Sequence, residues 1–517
     1  MKSFPTKTTN KYHLIGNVLM IVFSCIFFVN LMHTDLFGQS IKVGEGSYTI
    51  QLPSGQSSAS NKYGERVLPN VGGNFNKLHF MPGYVPVTTN NFWSNLIFRY
   101  APDEPSYIHA HPLQLKAEKN GLTLGYANSS SNLLTGSNFI DDYTYFTEGE
   151  LKVSLLDVVS SNFKVVNYTD WTATSSWTTD STNLEATFGH GLPYVFFKIN
   201  GAKVQLSSEK TSAIWHHDNN VLGITIDGKH FGIFAPTGSS WNSSFPLISD
   251  LNGKDFLSIA ILPDTSQLTF DLFKTHAYAF VEDTKAHWSF NPKNNLVQID
   301  YEVTTTLMEN NESYSNSTLQ ALYRHQWLNT SDEFTNLNYQ SPRGEMKVIE
   351  ANNFTTNNSF IGILPFLPDL GNYDRAELNQ YLIEVANQPI VTSNDSYNSG
   401  KEMGKYAQLV HIADQLGNLR AKNTLLYQLK LALENWLTAG GNQQYYYDQD
   451  WKVLIGFPAS HGSNLRLNDQ HFHHGYTIFA AATVAKFDSK WATNENWGGM
   501  INLLIKNASN WDRKDHK

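Results

Sequence analysis

A single cysteine, Cys25, in 517 residues leaves this chain no disulfide framework and no thiolate metal cluster. Charge is also scarce. Only 16% of residues are Asp, Glu, Lys or Arg, and 37 basic against 46 acidic residues give a net charge of −9. No basic patch stands out from that balance, which points away from nucleic acid as a partner. The length allows two or three domains with an ample core, so an exported protein of this size can do without disulfides.

Aromatic residues are plentiful, at 13% of the chain with 12 Trp and 25 Tyr. Most of them serve cores and sheets, and the surplus suits a surface on which flat rings meet the apolar faces of sugars. At the N-terminus Lys2, Lys7 and Lys11 precede the apolar run Leu14 to Met32, with Gly38 and Ser40 behind it. This pattern predicts an export signal over 1–40, or an uncleaved anchor given the length of the run. The expected location is therefore extracellular or periplasmic, with membrane contact only through this segment. Val-Phe-Ser-Cys25 is a poor lipoprotein box, because apolar residues continue past it.

Residues 41–310 read as an antiparallel β-sandwich. Short alternating runs such as Ser47 to Gln51, Tyr194 to Ile199 and Leu296 to Val303 are separated by Gly, Asn, Ser and Thr clusters. No long helical period is evident there. Residues 311–374 read as a small linking region, with a helix expected over Thr318–Trp327, an extended stretch from Tyr339 to Val348, and a proline-rich segment at 364–369. From 375 to 517 the period becomes helical. Met403, Tyr406, Ala407, Val410, Ala413 and Leu416 make one face before Gly417. Leu425, Leu426, Leu429, Ala432, Leu433 and Trp436 make the next, ended by Gly440-Gly441.

The densest chemistry lies in Leu467-Asn-Asp-Gln-His-Phe-His-His-Gly-Tyr476, which leads into an alanine-rich helix. Phe472, Tyr476, Phe479, Ala480, Thr483 and Phe487 share one helical face, expected to meet the core. Asp469 can be read as an N-cap or as a general acid, and spacing does not decide between them. His471 and His473 are in a His-x-His pair, but no neighbouring Cys or His-x-x-x-His supplies further ligands, so neither a metal nor a cofactor is expected.

Asn468-Asp-Gln-His-Phe-His-His-Gly-Tyr476, followed by Phe487-Asp-Ser-Lys-Trp491, resembles the signature of glycoside hydrolase family 81, the endo-β-1,3-glucanases. That pattern runs close to Asn-Asp-His-His-Phe-His-Tyr-Gly-Tyr, and this chain departs from it at Gln470 and His474. The resemblance implies Asp469 as the catalytic acid of an inverting hydrolysis of β-1,3-glucan, and an (α/α)6 barrel as the catalytic fold. Asp395-Ser-Tyr-Asn-Ser-Gly-Lys401 is similar to the family's Tyr-x-x-Gly-Lys element. It implies Tyr397 and Lys401 as sugar contacts, although these residues also read as a loop and a solvated lysine. Tyr446-Tyr-Asp448 matches as well, and Asp448 reads equally as a sugar ligand or a turn residue. His471, His473 and Tyr476 complete the implied substrate contacts of a monomeric enzyme.

In the N-terminal half, Thr89 to Leu96, His111-Pro-Leu113, Gly189 to Tyr194 and His276 to Phe280 are similar to the family's first domain; packing and turn geometry is their expected role. The family's catalytic base comes from a Glu-Ser-x-Ser-Glu element that this sequence does not contain, and only about half of a twelve-helix barrel is visible. The expectation is a truncated chain with weak or no hydrolysis. Two alternatives stay open. One is a glucan-binding fragment without turnover. The other is a polysaccharide lyase using His473 and Tyr476 as base and charge neutraliser.

Overall fold

The computed structural model describes residues 40–58, 91–97, 106–127, 133–134, 144–145, 149–360, 362, 368–390, 393–467 and 469–510. The expected export segment before residue 40, most of the proline-rich segment 364–369, Asn468 and the C-terminal residues from 511 lie outside them. The chain divides into two compact units, one of residues 62–363 and one that joins 1–61 to 364–517.

The first unit is built on two antiparallel sheets. The larger has eight strands, with Tyr194–Asn200 and Phe256–Leu262 at its centre and Ser212–Asp218 and Asn162–Tyr168 at its edges. The smaller has six, running from Leu247–Ser249 to Ser106–Ala110. Strand Asn183–Gly189 shows why the sequence alternates: Leu184, Ala186 and Phe188 are buried while Glu185 and Thr187 between them are half-buried. Phe256–Leu262 is buried at every position, so it reads as a continuous apolar run instead. Side chains lace the sheets together. The Tyr126 hydroxyl donates to the Leu262 carbonyl at 2.8 Å and accepts from the His230 N–H at 2.8 Å. The Trp177 indole donates to the Glu118 carbonyl at 2.7 Å.

Three expectations need correction. Thr318–Trp327 is not one helix. Leu319–Leu322 is a buried strand paired with Lys347–Glu350, and only Arg324–Trp327 turns helically. Four residues, Leu-Gln-Ala-Leu, are too few for periodicity to separate the two states, and here pairing to a neighbouring strand decides it. Conversely, a helix (α1, Gln267–His276) stands within the β region, capped by the Ser266 hydroxyl accepting from the Thr269 N–H. Residues 40–49 also leave the β unit. The hairpin Ser40–Val43 and Gly46–Thr49 belongs to the second unit, where Thr49 pairs in parallel with Tyr446 of strand Gln444–Asp448. Alternation announces a strand but not the sheet it joins. Gly46 makes this docking possible, since a Cβ there would sit 2.8 Å from the Leu437 carbonyl. The linking region is likewise divided, with residues up to 363 counted in the β unit.

The second unit is mainly helical: α2 Arg375–Ala386, α3 Ser396–Gln415, α4 Leu419–Trp436, α5 Gln470–Phe487 and α6 Gly498–Ser509. Asp374, Asp395 and Asn418 accept backbone N–H bonds at the starts of α2, α3 and α4, and Gly417 (φ 74°) closes α3. The core joins Met403, Ala407 and Val410 of α3 to Leu425, Leu429 and Leu433 of α4 and to Ala480, Ala481 and Val484 of α5.

The face expected to be buried on α5 is wrong by part of a turn. His473, His474, Thr477, Ala480, Ala481, Thr483 and Val484 face inward, whereas Phe472 is 50% exposed and Tyr476 and Phe479 are only partly covered. The aromatic residues set the apparent apolar stripe, and α3 takes the small ones instead.

We expect Tyr126→Phe to lower the unfolding free energy by about 1–2 kcal/mol, because the His230 N–H loses its buried acceptor. Urea unfolding with unchanged m-value is the check.

Candidate active site

Asp469 occupies the N-cap position of α5, yet it does not cap in the ordinary way. Its backbone is left-handed (φ 55°, ψ 20°) and its side chain makes no cap hydrogen bond. The carbonyl accepts instead, from the N–H groups of Phe472 at 3.0 Å and His473 at 3.1 Å. Leu467, two residues earlier, is also left-handed (φ 54°). Such backbone costs a non-glycine residue roughly 1–2 kcal/mol, and strain of this kind concentrates at working sites. The Gln470 side chain ties the loop down by donating to the Ser463 carbonyl at 3.1 Å.

His473 is the hub behind Asp469. It is 3% exposed, and its Nδ1 lies 2.8 Å from the Ser396 hydroxyl at the start of α3. Burial lowers its pKa, a nearby His461 adds to that, and the Asp469 and Asp395 carboxylates work against it. His474 is buried behind it, with its pKa lowered to about 3 by burial and by His473. The tautomer of His474 follows from geometry. The Asn507 Oδ1 accepts from the Leu454 N–H at 2.7 Å, so its Nδ2 is the atom facing the Leu454 carbonyl at 3.2 Å and the His474 Nδ1 at 3.1 Å. The Nδ1 therefore accepts, and the proton sits on Nε2.

Tyr397 joins these groups. Its ring lies 5.4 Å from that of His473, 6.0 Å from Tyr476 and 4.7 Å from His461, and the Lys401 ammonium stands 5.3 Å over it. Residues 396–401, which also read as a loop, are the first turns of α3. Asp395 caps them by accepting from the Tyr397 and Asn398 N–H groups at 3.0 and 2.9 Å. Burial would raise the Asp395 pKa, but bonds led by those from the Asn398 backbone and side chain outweigh it and hold the carboxyl below its ordinary value.

An open groove of about 500 Å³ runs alongside, where Lys401, Lys405 and Gln408 of α3 face His471, Tyr476 and Phe479 of α5. The half-exposed Phe472 and His471, ring centroids 4.7 Å apart, stand at its edge. The groove exists because the two helices approach closely. A Cβ at Gly400 would lie 3.2 Å from Tyr476 Cβ, and one at Gly404 3.4 Å from its ring. The structure thus brings together Asp469, His473, Tyr397, Tyr476, Lys401 and His471. It does not include Asp448 among them. That residue is 3% exposed, accepts from the Asp450 and Trp451 N–H groups at 3.0 Å and takes the Ser58 hydroxyl at 2.6 Å, which gives it the turn role. Sequence reasoning missed Ser396 and His461. The Asp395-Ser-Tyr-Asn order, an N-cap signature, was the available signal for the first.

Acid should weaken this site. The unfolded chain protonates its histidines near 6.5, whereas folded His474 stays neutral down to about 3. Stability falls as pH drops through that window, because the unfolded state binds the extra proton. We expect the urea midpoint to fall from pH 7 to pH 5, and to fall less in His474→Gln.

Residues 372–517 match the model of the glycosyl hydrolase family 81 C-terminal domain. A glucan endo-1,3-β-D-glucosidase of Thermobifida fusca is 38% identical over 486 residues, covering 92% of this chain and 62% of the relative. Its namesake from Acetivibrio thermocellus is 36% identical over 84% of this chain and 56% of the relative. The structure superposes, with a TM-score of 0.79 and 33% identity, on a glycoside hydrolase family 81 protein from Clostridium thermocellum solved with one glutamate changed to alanine; the match covers 92% of this chain and 64% of the other. The chain thus spans less than two thirds of the length of these relatives. On this convergent evidence the chain is similar to glycoside hydrolase family 81 proteins over most of its length, and its residues 372–517 match that family's C-terminal domain.

Proposed function

We propose that this chain carries the acid side of an inverting endo-β-1,3-glucanase site, with Asp469 as the general acid. The observation that carries the reading is the position of Asp469: a strained loop end beside the neutral His473, two residues before His471 of a groove edged by aromatic rings and lysines. The relatives' names supply the substrate class. Asp469 gives its proton to the glycosidic oxygen as the C1–O bond breaks. Water then attacks C1 from the opposite face and loses a proton to a second carboxylate, leaving the α-anomer. Tyr397, Tyr476 and Phe472 offer stacking faces to glucosyl rings, and Lys401 and His471 donate to hydroxyls. We read the helix pairs as part of an (α/α)6 barrel and the protein as exported.

One observation favours a second reading, glucan binding without turnover. Among the described residues, the other carboxylates close to this cluster already have structural work. Asp395 caps α3, and Glu402, next to Lys401, accepts from the Ser393 N–H at 3.0 Å. Neither is set to activate water. The lyase alternative fits less well, since His473 is buried with its Nδ1 engaged by Ser396.

Azide separates the first two readings, because it attacks C1 without needing a base. With laminarin we expect a low rate of chain cleavage that azide raises, yielding α-glycosyl azide. Asp469→Asn should lower the azide-assisted rate about 10²–10⁴-fold while retention in a laminarin gel persists. An azide-assisted rate unchanged by Asp469→Asn would remove the acid assignment. Retention with no cleavage in either condition would establish the binding reading.

A further inference from the structure

The β unit holds a cavity of about 400 Å³ to which the glucanase reading gives no role. Three of the N-terminal motifs converge on it from distant positions. His111, of His111-Pro-Leu113, and His190 and Gly191, of the Gly189–Tyr194 stretch, are in its lining. Phe92, from the Asn91–Leu96 segment, backs His190 at 4.2 Å between ring centroids.

A ring of backbone hydrogen bonds fixes the frame. The Gly191 N–H donates to the His111 carbonyl at 2.8 Å, and the Gly191 carbonyl accepts from the Ala321 N–H at 2.7 Å. The His190 N–H donates to the Trp171 carbonyl at 3.1 Å. Gly191 is left-handed (φ 74°), and a Cβ there would come 3.0 Å from the Ala321 carbonyl, so only glycine fits. One wall is aromatic. Tyr301 stacks on Phe354 with centroids 4.4 Å apart and 9° between planes, and Trp171 meets Tyr301 edge-on at 5.8 Å. The opposite side is polar. The His190 Nδ1 and the Tyr323 hydroxyl are 2.8 Å apart, and the Arg343 guanidinium stands 5.9 Å from the Tyr323 ring.

The electrostatics suit an uncharged, hydroxyl-rich guest. Burial lowers His111 to about 3 and His190 to about 4, with Arg343 adding to both. Neutral imidazoles present one donor and one acceptor each, which a sugar hydroxyl can match on both sides. No carboxylate lines the cavity among the described residues. A pocket of this size with a stacked aromatic wall and a few converging polar groups is the ordinary form of a small-molecule site.

We propose that this cavity is a second carbohydrate site, which stacks a glucosyl ring of a β-1,3-glucan on the Trp171–Tyr301 wall and holds its hydroxyls with His111, His190 and Arg343. The choice of ligand rests on the glucanase reading; the existence of the site rests on the cavity. It would keep a polymer on the protein independently of the Asp469 groove.

The test is calorimetric titration of the Asp469→Asn chain with laminarihexaose, alone and with Arg343→Ala or Trp171→Ala added. Arg343 is exposed on a turn, so its variant is expected to fold even if Trp171→Ala does not. We expect two sites in the Asp469→Asn chain. Arg343→Ala should weaken one of them about tenfold, and Trp171→Ala should abolish it. Tyr476→Ala, in the Asp469 groove, should affect only the other. One site that responds to Tyr476→Ala but not to the two β-unit variants overturns this proposal and leaves the glucanase reading intact. No laminarihexaose binding at any site overturns both. A β-unit site that takes oligouronates in preference to laminarihexaose overturns the ligand assignment.

Discussion

The helical unit depends on how closely α3 and α5 approach. Tyr476 lies against Gly400 and Gly404, one turn apart on α3, and a methyl group at the first would already crowd it. That contact sets which side of α5 faces inward. With Tyr476 held at the helix–helix seam, His473, Thr477, Ala480 and Val484 turn into the core, and Phe472 is left at the groove edge. The same contact brings the start of α3 to the start of α5, so the Ser396 hydroxyl reaches the His473 ring. The Asp469 carboxyl, its histidine neighbour and the aromatic edge thus share one packing decision.

Polar burial is the second constraint on the site. Two adjacent histidines are buried, and each is held at Nδ1 by a different element: Ser396 of α3 for His473, Asn507 of α6 for His474. Low pKa values follow from desolvation, since a buried imidazolium lacks the water that would stabilise it. Asn507 links three pieces at once, because its amide also completes the hydrogen bonding of Leu454. Helix α6 therefore orients a ring five residues after Asp469 without lining the groove.

In the β unit the same physics works through backbone. Loops around His111 and Gly191 are joined to strand Leu319–Leu322 by N–H to carbonyl bonds, and the side chains they present are aromatic or neutral. Gly191 is needed because its conformation and the Ala321 carbonyl together exclude a Cβ. Reading these motifs for packing and turn geometry alone caught the frame and missed the cavity that the frame encloses.

By itself the sequence determined the class of each region. Alternation over Asn183–Gly189, the Gly417 stop and the capping residues Asp395 and Asn418 are local, because propensity and hydrogen-bond geometry within a few residues decide them. The long Asn468–Tyr476 string also holds four of the side chains that come together there, Asp469, His471, His473 and Tyr476. Only the tertiary structure decided what depends on contacts distant in sequence. It placed strand Gly46–Thr49 beside Tyr446, made Leu319–Leu322 a strand, and gave Asp448 to a turn closed by Ser58. It also chose the inward face of α5. A helix shows its apolar residues in the sequence, but which stripe becomes core depends on where a partner carries glycine, and Gly400 and Gly404 lie about seventy residues away.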